Sequence, residues 1–306
     1  MVTLGAGGLI PVNSSVIAME SEDLQVSIHE ITVRYIFRNP TDRDVDAIVA
    51  FPLPPVDGAE VQNEPMALPS KDPVNYMSFK VTVDGQIVKP SVEVRAFKNG
   101  KDVTARLRSL GLPPSVLDPK TVSAIEKLLP EQRDRLQKDE LIVDQPQYIF
   151  HGKRIPREVW PWWETHIQFY WTQRFPPKST TQIVHTYKPV VGGSYIVRGD
   201  DGESSVQPYC GGPDALNQIA QMNARLPAKD RIILWEKRIQ YILTTGNNWN
   251  GPIGHFHLTV TIDRSEDILA TCFPDLERTS TTRYEFTRSQ FRPDQELNLL
   301  ILQTNK

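Results

Sequence analysis

The chain has 306 residues, 39% of them hydrophobic and 23% charged, with a formal net charge of -3. These values place it among folded globular proteins rather than disordered ones, and they leave no global positive field to favour nucleic acid or an anionic membrane. No apolar run approaches the roughly 20 residues with which a helix spans a bilayer.

The opening, Met1-Val2-Thr3-Leu4-Gly5-Ala6-Gly7-Gly8-Leu9, has no charged region followed by an apolar one. It does not read as an export signal, so the protein is either cytosolic or begins at a mature N-terminus. Residues 29–38 alternate, with Ile31, Val33, Tyr35 and Phe37 on one face and Thr32, Arg34 and Arg38 on the other. Asn39-Pro40-Thr41-Asp42-Arg43-Asp44 has turn composition, and residues 45–51 return as a second strand, which predicts a hairpin. Residues 79–83 and 87–97 repeat the pattern around Asp84-Gly85, the strongest short hairpin signal in the chain, and Asn99-Gly100 ends that strand.

Residues 113–139 change character. Asp118-Pro119 predicts a helix start, followed by an apolar stripe of Val122, Ile125, Leu128 and Leu129. Pro130 interrupts it, and residues 131–139 predict a second, charged and exposed helix. Strand signals then return. Trp160-Pro161-Trp162-Trp163 is an irregular aromatic cluster, and residues 165–175 and 181–187 predict a hairpin around Pro176-Pro177. Residues 213–226 predict a short helix with Leu216, Ile219 and Ala220 inward, and residues 231–243, 256–262, 268–272, 283–287 and 297–302 predict strands. The chain has 25 prolines, some in clusters such as Pro52-Leu53-Pro54-Pro55, which end strands and shape connections. The expectation is a mainly β fold: a β-sandwich-like N-terminal domain over residues 1–112, a helical insertion over 113–145, and a second β-rich domain over 146–306 that carries a short helix.

Several residue groups can carry chemistry. The loop between residues 244 and 254 is dense in Gly and Asn; Asn247 and Asn248 supply donors and acceptors beside Trp249, or else simply make the turn. His255 and His257 share one face of a strand, as the start of a metal site or as part of a solvated sheet face. A third ligand is not adjacent, and we expect no metal and no cofactor. In a simple hairpin register His166 and Tyr170 share a face with His185 and Tyr187, a group suited to binding an anion or a sugar or to acid–base work. The tryptophans suit core packing better than an exposed platform. No GxSxG, HExxH, P-loop or strand-borne GxGxxG signature is present. Cys210 and Cys272 sit in no zinc-like spacing and read either as two free thiols or as one disulfide.

The segments Gly5-Ala6-Gly7-Gly8-Leu9, Ile31-Thr32-Val33-Arg34-Tyr35-Ile36-Phe37-Arg38-Asn39, Val49-Ala50-Phe51-Pro52-Leu53-Pro54, Phe169-Tyr170-Trp171-Thr172-Gln173-Arg174-Phe175-Pro176, Val184-His185-Thr186-Tyr187-Lys188-Pro189, Tyr209-Cys210 and the loop from Thr244 to Phe256 occur in this order. Together they resemble the bacterial domain-of-unknown-function family 4424. Members of that family typically carry an export signal just ahead of the Gly-Gly-Leu motif. The resemblance therefore implies a periplasmic or secreted protein, and through that compartment a Cys210–Cys272 disulfide. The region from Tyr35 to Pro54 is also similar to the β-sandwich modules at the N-termini of vault and inter-alpha-trypsin-inhibitor proteins. The expected function is a non-enzymatic binding or interaction module of the bacterial envelope. Its partner would be an envelope protein, a glycan or a small molecule, with no nucleic acid and no transmembrane segment. The alternative is a hydrolase built on His166 and His185 or on His255 and His257.

Overall fold

A strand that buries every second side chain needs an apolar layer on that side only, and Ile31–Arg38, Glu164–Phe175 and Thr180–Tyr187 meet the condition. The structure, a computed structural model, describes residues 2–5, 8–11, 14–63, 68–151, 153–225 and 232–304. Ala6 and Gly7 of the N-terminal motif, Leu226 at the expected helix end and Arg231 at the expected strand start lie outside the described residues. The fold is mainly β, as expected.

Two sheets form a sandwich. One has eight strands in the order Glu277–Arg278, Arg283–Phe291, Ile253–Thr261, Ala18–Val26, Ile31–Arg38, Thr180–Tyr187, Lys80–Val83 and Gln86–Val88. Its pairs are antiparallel except Ile253–Thr261 with Ala18–Val26, which run parallel. The other has seven strands and runs Lys101–Asp102, Ser91–Lys98, Glu164–Phe175, Val45–Pro52, Val2–Gly5 and Gly8–Pro11, with Val56–Asp57 pairing onto Glu164–Phe175. Ile31, Val33, Tyr35 and Phe37 point into the core from the first sheet, and Ile167, Phe169, Trp171 and Phe175 from the second.

Two of the three expected hairpins are instead corners. Ile31–Arg38 and Val45–Pro52 lie in opposite sheets, as do Glu164–Phe175 and Thr180–Tyr187. The pairing joins Ile31–Arg38 to Thr180–Tyr187 and Val45–Pro52 to Glu164–Phe175. Alternation cannot distinguish these arrangements, because both bury the same faces. The two corners are tied together. Asn39 is buried, and its amide nitrogen donates to the carbonyls of Arg43 at 2.8 Å and Phe175 at 2.9 Å. The backbone N–H of Asn39 donates to Ser179 O, and that of Lys178 to Thr41 O. The Asp84-Gly85 turn does close a hairpin, between Lys80–Val83 and Gln86–Val88.

The expected partition at residues 112 and 145 is crossed by both sheets, since each holds strands from before residue 112 and after residue 146. The intervening segment is helical, with Thr104–Ser109 just ahead of it and Lys120–Glu126 and Pro130–Lys138 within it. The Asp118 side chain accepts from Lys120 N at 2.8 Å and starts the second of these helices. Thr121 and Ile125 are its buried residues, whereas Val122 and Leu129 of the expected stripe are exposed. Leu136 of the helix expected to be exposed is buried, because the helix packs on strand Ile142–Gln145. A β-arm follows, with Ile142–Gln145 on Glu158–Pro161 and Tyr148–Phe150 on Lys153–Ile155; Ile149 is 75% exposed there.

The third sheet holds Tyr195–Val197, Ile232–Tyr241, Leu297–Gln303 and Ile268–Ala270. It is covered on both faces, which is why Leu297-Asn298-Leu299-Leu300-Ile301-Leu302 reads as a nearly unbroken apolar run. Leu297, Leu299 and Ile301 face the main core, while Leu300 and Leu302 face a smaller core shared with Ala215 and Ile219 of helix Pro213–Arg225. Ala220, expected inward, is exposed. A Cys210–Cys272 disulfide ties the approach to this helix to the chain just after strand Ile268–Ala270. Among the described residues no helix is long and apolar enough to cross a membrane.

Candidate functional site

The site starts from an irregularity in strand Ala18–Val26. Met19 points inward, and a register shift between Met19 and Ser21 then changes the parity, so that Glu22, Leu24 and Val26 point inward. Glu22 thus occupies an apolar slot and is only 2% exposed. Its Oε1 accepts from the Tyr241 hydroxyl at 3.0 Å. With that proton committed, the Tyr35 hydroxyl donates to Tyr241 at 2.8 Å, and a chain Tyr35–Tyr241–Glu22 forms. Tyr35 comes from Ile31–Arg38 in the eight-stranded sheet and Tyr241 from Ile232–Tyr241 in the third sheet, so the chain joins two sheets. Burial pushes the Glu22 carboxyl up to about 8, so it is mostly protonated at neutral pH; the Tyr241 hydrogen bond opposes this shift and is outweighed. Burial also pushes the phenols of Tyr35, Tyr187 and Tyr241 well above the usual tyrosine range.

His185 stands on the neighbouring strand and is 4% exposed. Its ring is set edge-on to Tyr35 at 5.2 Å, Phe51 at 4.7 Å and Phe79 at 5.2 Å. Neither ring nitrogen has a hydrogen-bond partner, and burial pushes the imidazole down to about 3, so it is neutral. An unsatisfied buried polar group costs roughly 1–3 kcal/mol. Glu22 and His185 line one cavity of about 100 Å³, walled by Tyr35, Phe37, Phe51, Tyr187, Tyr241 and Trp249. That is room for a few heavy atoms in a setting of ring faces with few polar groups.

The loop expected to carry a site closes one end of this cavity. The Glu296 carboxylate accepts from Leu243 N at 2.5 Å, Thr244 N at 3.1 Å and the Thr244 hydroxyl at 2.5 Å, which holds the 3₁₀ turn Thr244–Asn248 in place. Asn247 donates its side-chain N–H to Pro293 O at 2.7 Å, and Asn248 O accepts from Ser14 N at 2.8 Å. Trp249 is buried, with its ring 4.2 Å from Phe37 and 6.2 Å from Phe175. Asn248 and Trp249 line the cavity; the bonds of Asn247 hold the loop.

The four-residue face expected from His166, Tyr170, His185 and Tyr187 does not form. His166 and Tyr170 lie on the outer face of the seven-stranded sheet, where His166 meets Glu164 at 3.2 Å and its ring lies tilted 4.4 Å from that of Phe97. His185 and Tyr187 point the other way, into the core, because their strand belongs to the opposite sheet. His255 is exposed, and His257, two residues on and on the same face, lies 3.4 Å from Asp23 and 3.7 Å from Glu285. These histidines stay apart from the cavity. Glu22, Tyr35 and Tyr241 were not among the expected site residues. The available signal was Glu22 in phase with Leu24 and Val26, an acid in an apolar position.

Fold and site together define a two-sheet β-sandwich with a ring-walled internal pocket and a buried acid–phenol chain. The chain belongs to the family described as Domain of unknown function (DUF4424), whose profile matches residues 1–300. Among solved structures it is similar to a candidate nutrient binding protein from Legionella pneumophila, at 17% identity over 95% of this chain and 68% of that one, with a TM-score of 0.48. It is also similar to an M1 zinc metallopeptidase from Deinococcus radiodurans, at 9% identity over 95% of this chain and 43% of the peptidase, with a TM-score of 0.27. No curated protein matches it.

Proposed function

We propose that the protein is an exported binding module of the bacterial envelope that holds a small molecule in the pocket between its sheets. The observation that carries this reading is His185, a buried imidazole with two unpartnered nitrogens, among the residues that line a cavity shared with the Glu22–Tyr241–Tyr35 chain. A fold gains nothing from such a group, whereas a ligand with a polar arm satisfies it. The Cys210–Cys272 disulfide supports the exported compartment, because such bonds persist in oxidising surroundings. The His166/His185 pair does not support the hydrolase alternative, since the two residues belong to different sheets, one on an outer face and one in the core.

His185→Phe tests the reading, because it keeps an aromatic ring and removes the unpaired nitrogens. We expect its melting temperature to match or exceed that of the wild type. In a thermal-shift panel of amino acids, sugars, carboxylates, amines and betaines, at least one compound with a polar arm should stabilise the wild type and bind His185→Phe about tenfold more weakly. Undiminished binding by the variant would remove His185 from the site, and a panel with no stabilising compound would sink the binding reading itself.

A further inference from the structure

We propose that this pocket takes a small organic cation, a quaternary or fully methylated ammonium group. The inference rests on the small-ligand reading above and names its chemical class. Six rings bound the cavity, from Tyr35, Phe37, Phe51, Tyr187, Tyr241 and Trp249, and the acidic group among them is Glu22. Aromatic faces carry negative charge density and attract cations, most strongly where water is excluded, and rings grouped around one carboxylate are a recognised setting for quaternary ammonium. No lysine, arginine or histidine makes an ion pair with Glu22 among the described residues; its one hydrogen-bond donor is the neutral phenol of Tyr241.

Other ligand classes fit less well. An anion would meet ring faces and a carboxyl group with no cationic side chain among the lining residues. A primary ammonium needs acceptors for three N–H groups, and a lining dominated by ring faces with a single carboxyl group accommodates methyl groups more readily than N–H donors. A methylated nitrogen needs none, and a cavity of about 100 Å³ matches a headgroup of a few heavy atoms.

The arrangement couples binding to a proton. A cation beside Glu22 favours its carboxylate form, so binding near neutral pH expels the proton that burial retains there. The titratable groups that interact with Glu22 from the packed elements are Tyr35, Tyr187 and Tyr241, and His185 lines the same cavity. The phenols are held neutral by burial and the imidazole is neutral at this pH, so Glu22 is the one that titrates.

Isothermal titration of the full chain with tetramethylammonium, choline and the uncharged choline isostere 3,3-dimethylbutan-1-ol tests this. Measurements at pH 7 in two buffers of different ionisation enthalpy count the protons released. We expect both cations to bind at least tenfold more tightly than the isostere, with net proton release and with affinity rising toward pH 8. Glu22→Gln reproduces the neutral acid and should fold, which an unchanged circular dichroism spectrum would verify. It should weaken cation binding at least tenfold, leave the isostere unaffected and abolish proton release. Equal binding of choline and its isostere overturns the cation inference and leaves the small-ligand reading intact. So does binding of only an anionic or uncharged compound from the panel. A protein that binds neither these probes nor any compound of the panel overturns both.

Discussion

Glu22 and His185 are mirror images in their effect on stability. His185 titrates near 3 in the fold against 6.5 when exposed, so below pH 6.5 the unfolded chain takes up a proton that the fold refuses, and stability falls as the pH drops from 6.5 toward 3. Glu22 titrates near 8 in the fold against 4.5 when exposed. Its stabilising share is complete below pH 4.5 and is lost as the pH rises through 8. Each effect is on the order of 5 kcal/mol across its full window. The two slopes cancel between about pH 4.5 and 6.5, so urea-unfolding free energy should plateau there and decline on both sides. His185→Phe should remove the acid-side decline, and Glu22→Gln the alkaline-side one. An alkaline decline that persists in Glu22→Gln would show that Glu22 does not titrate as its burial requires. The charge and chemistry of both residues were legible in the sequence. Their burial was legible only where alternation survived: it put His185 on a face with Tyr187, but not which way that face turned.

Strand positions are legible in the sequence, and strand partners are not. The alternation of Ile31–Arg38 follows from packing against one apolar layer, which is local information. Pairing is not local: a short turn and a sheet-to-sheet corner can have the same length and composition, as Asn39-Pro40-Thr41-Asp42 shows. The parallel contact between Ala18–Val26 and Ile253–Thr261 joins strands more than 200 residues apart and governs the site indirectly. A side chain at Gly254 would place its Cβ 2.6 Å from Glu20 O, next to the register shift that turns Glu22 inward. Space rather than backbone conformation requires glycine here. Gly254→Ala should cost about 1–3 kcal/mol through forced displacement and should weaken ligand binding together with stability. Chemical denaturation that finds Gly254→Ala within 0.5 kcal/mol of the wild type, roughly the spread of neutral surface changes, would show that the neighbouring strand yields freely.

Both sandwich sheets are woven from the two halves of the chain, and that interleaving has a consequence for fragments. Residues 1–112 alone lack Thr180–Tyr187, which pairs with Ile31–Arg38, and Glu164–Phe175, which pairs with Val45–Pro52. The expressed 1–112 fragment should therefore show no cooperative unfolding by circular dichroism, and it should regain structure only when residues 113–306 are supplied. An independently folded fragment would mean that its strands find other partners. Composition and alternation alone established a mainly β protein with a helical segment near residues 113–139, because both depend on nearest neighbours and on the period of burial. Family resemblance added the expectation of the Cys210–Cys272 bond, which the structure contains. The pocket was decided only in three dimensions. Its acid, phenols, imidazole and indole come from separate strands and a loop, spread from Glu22 to Trp249, and no local pattern encodes the corners that bring them together.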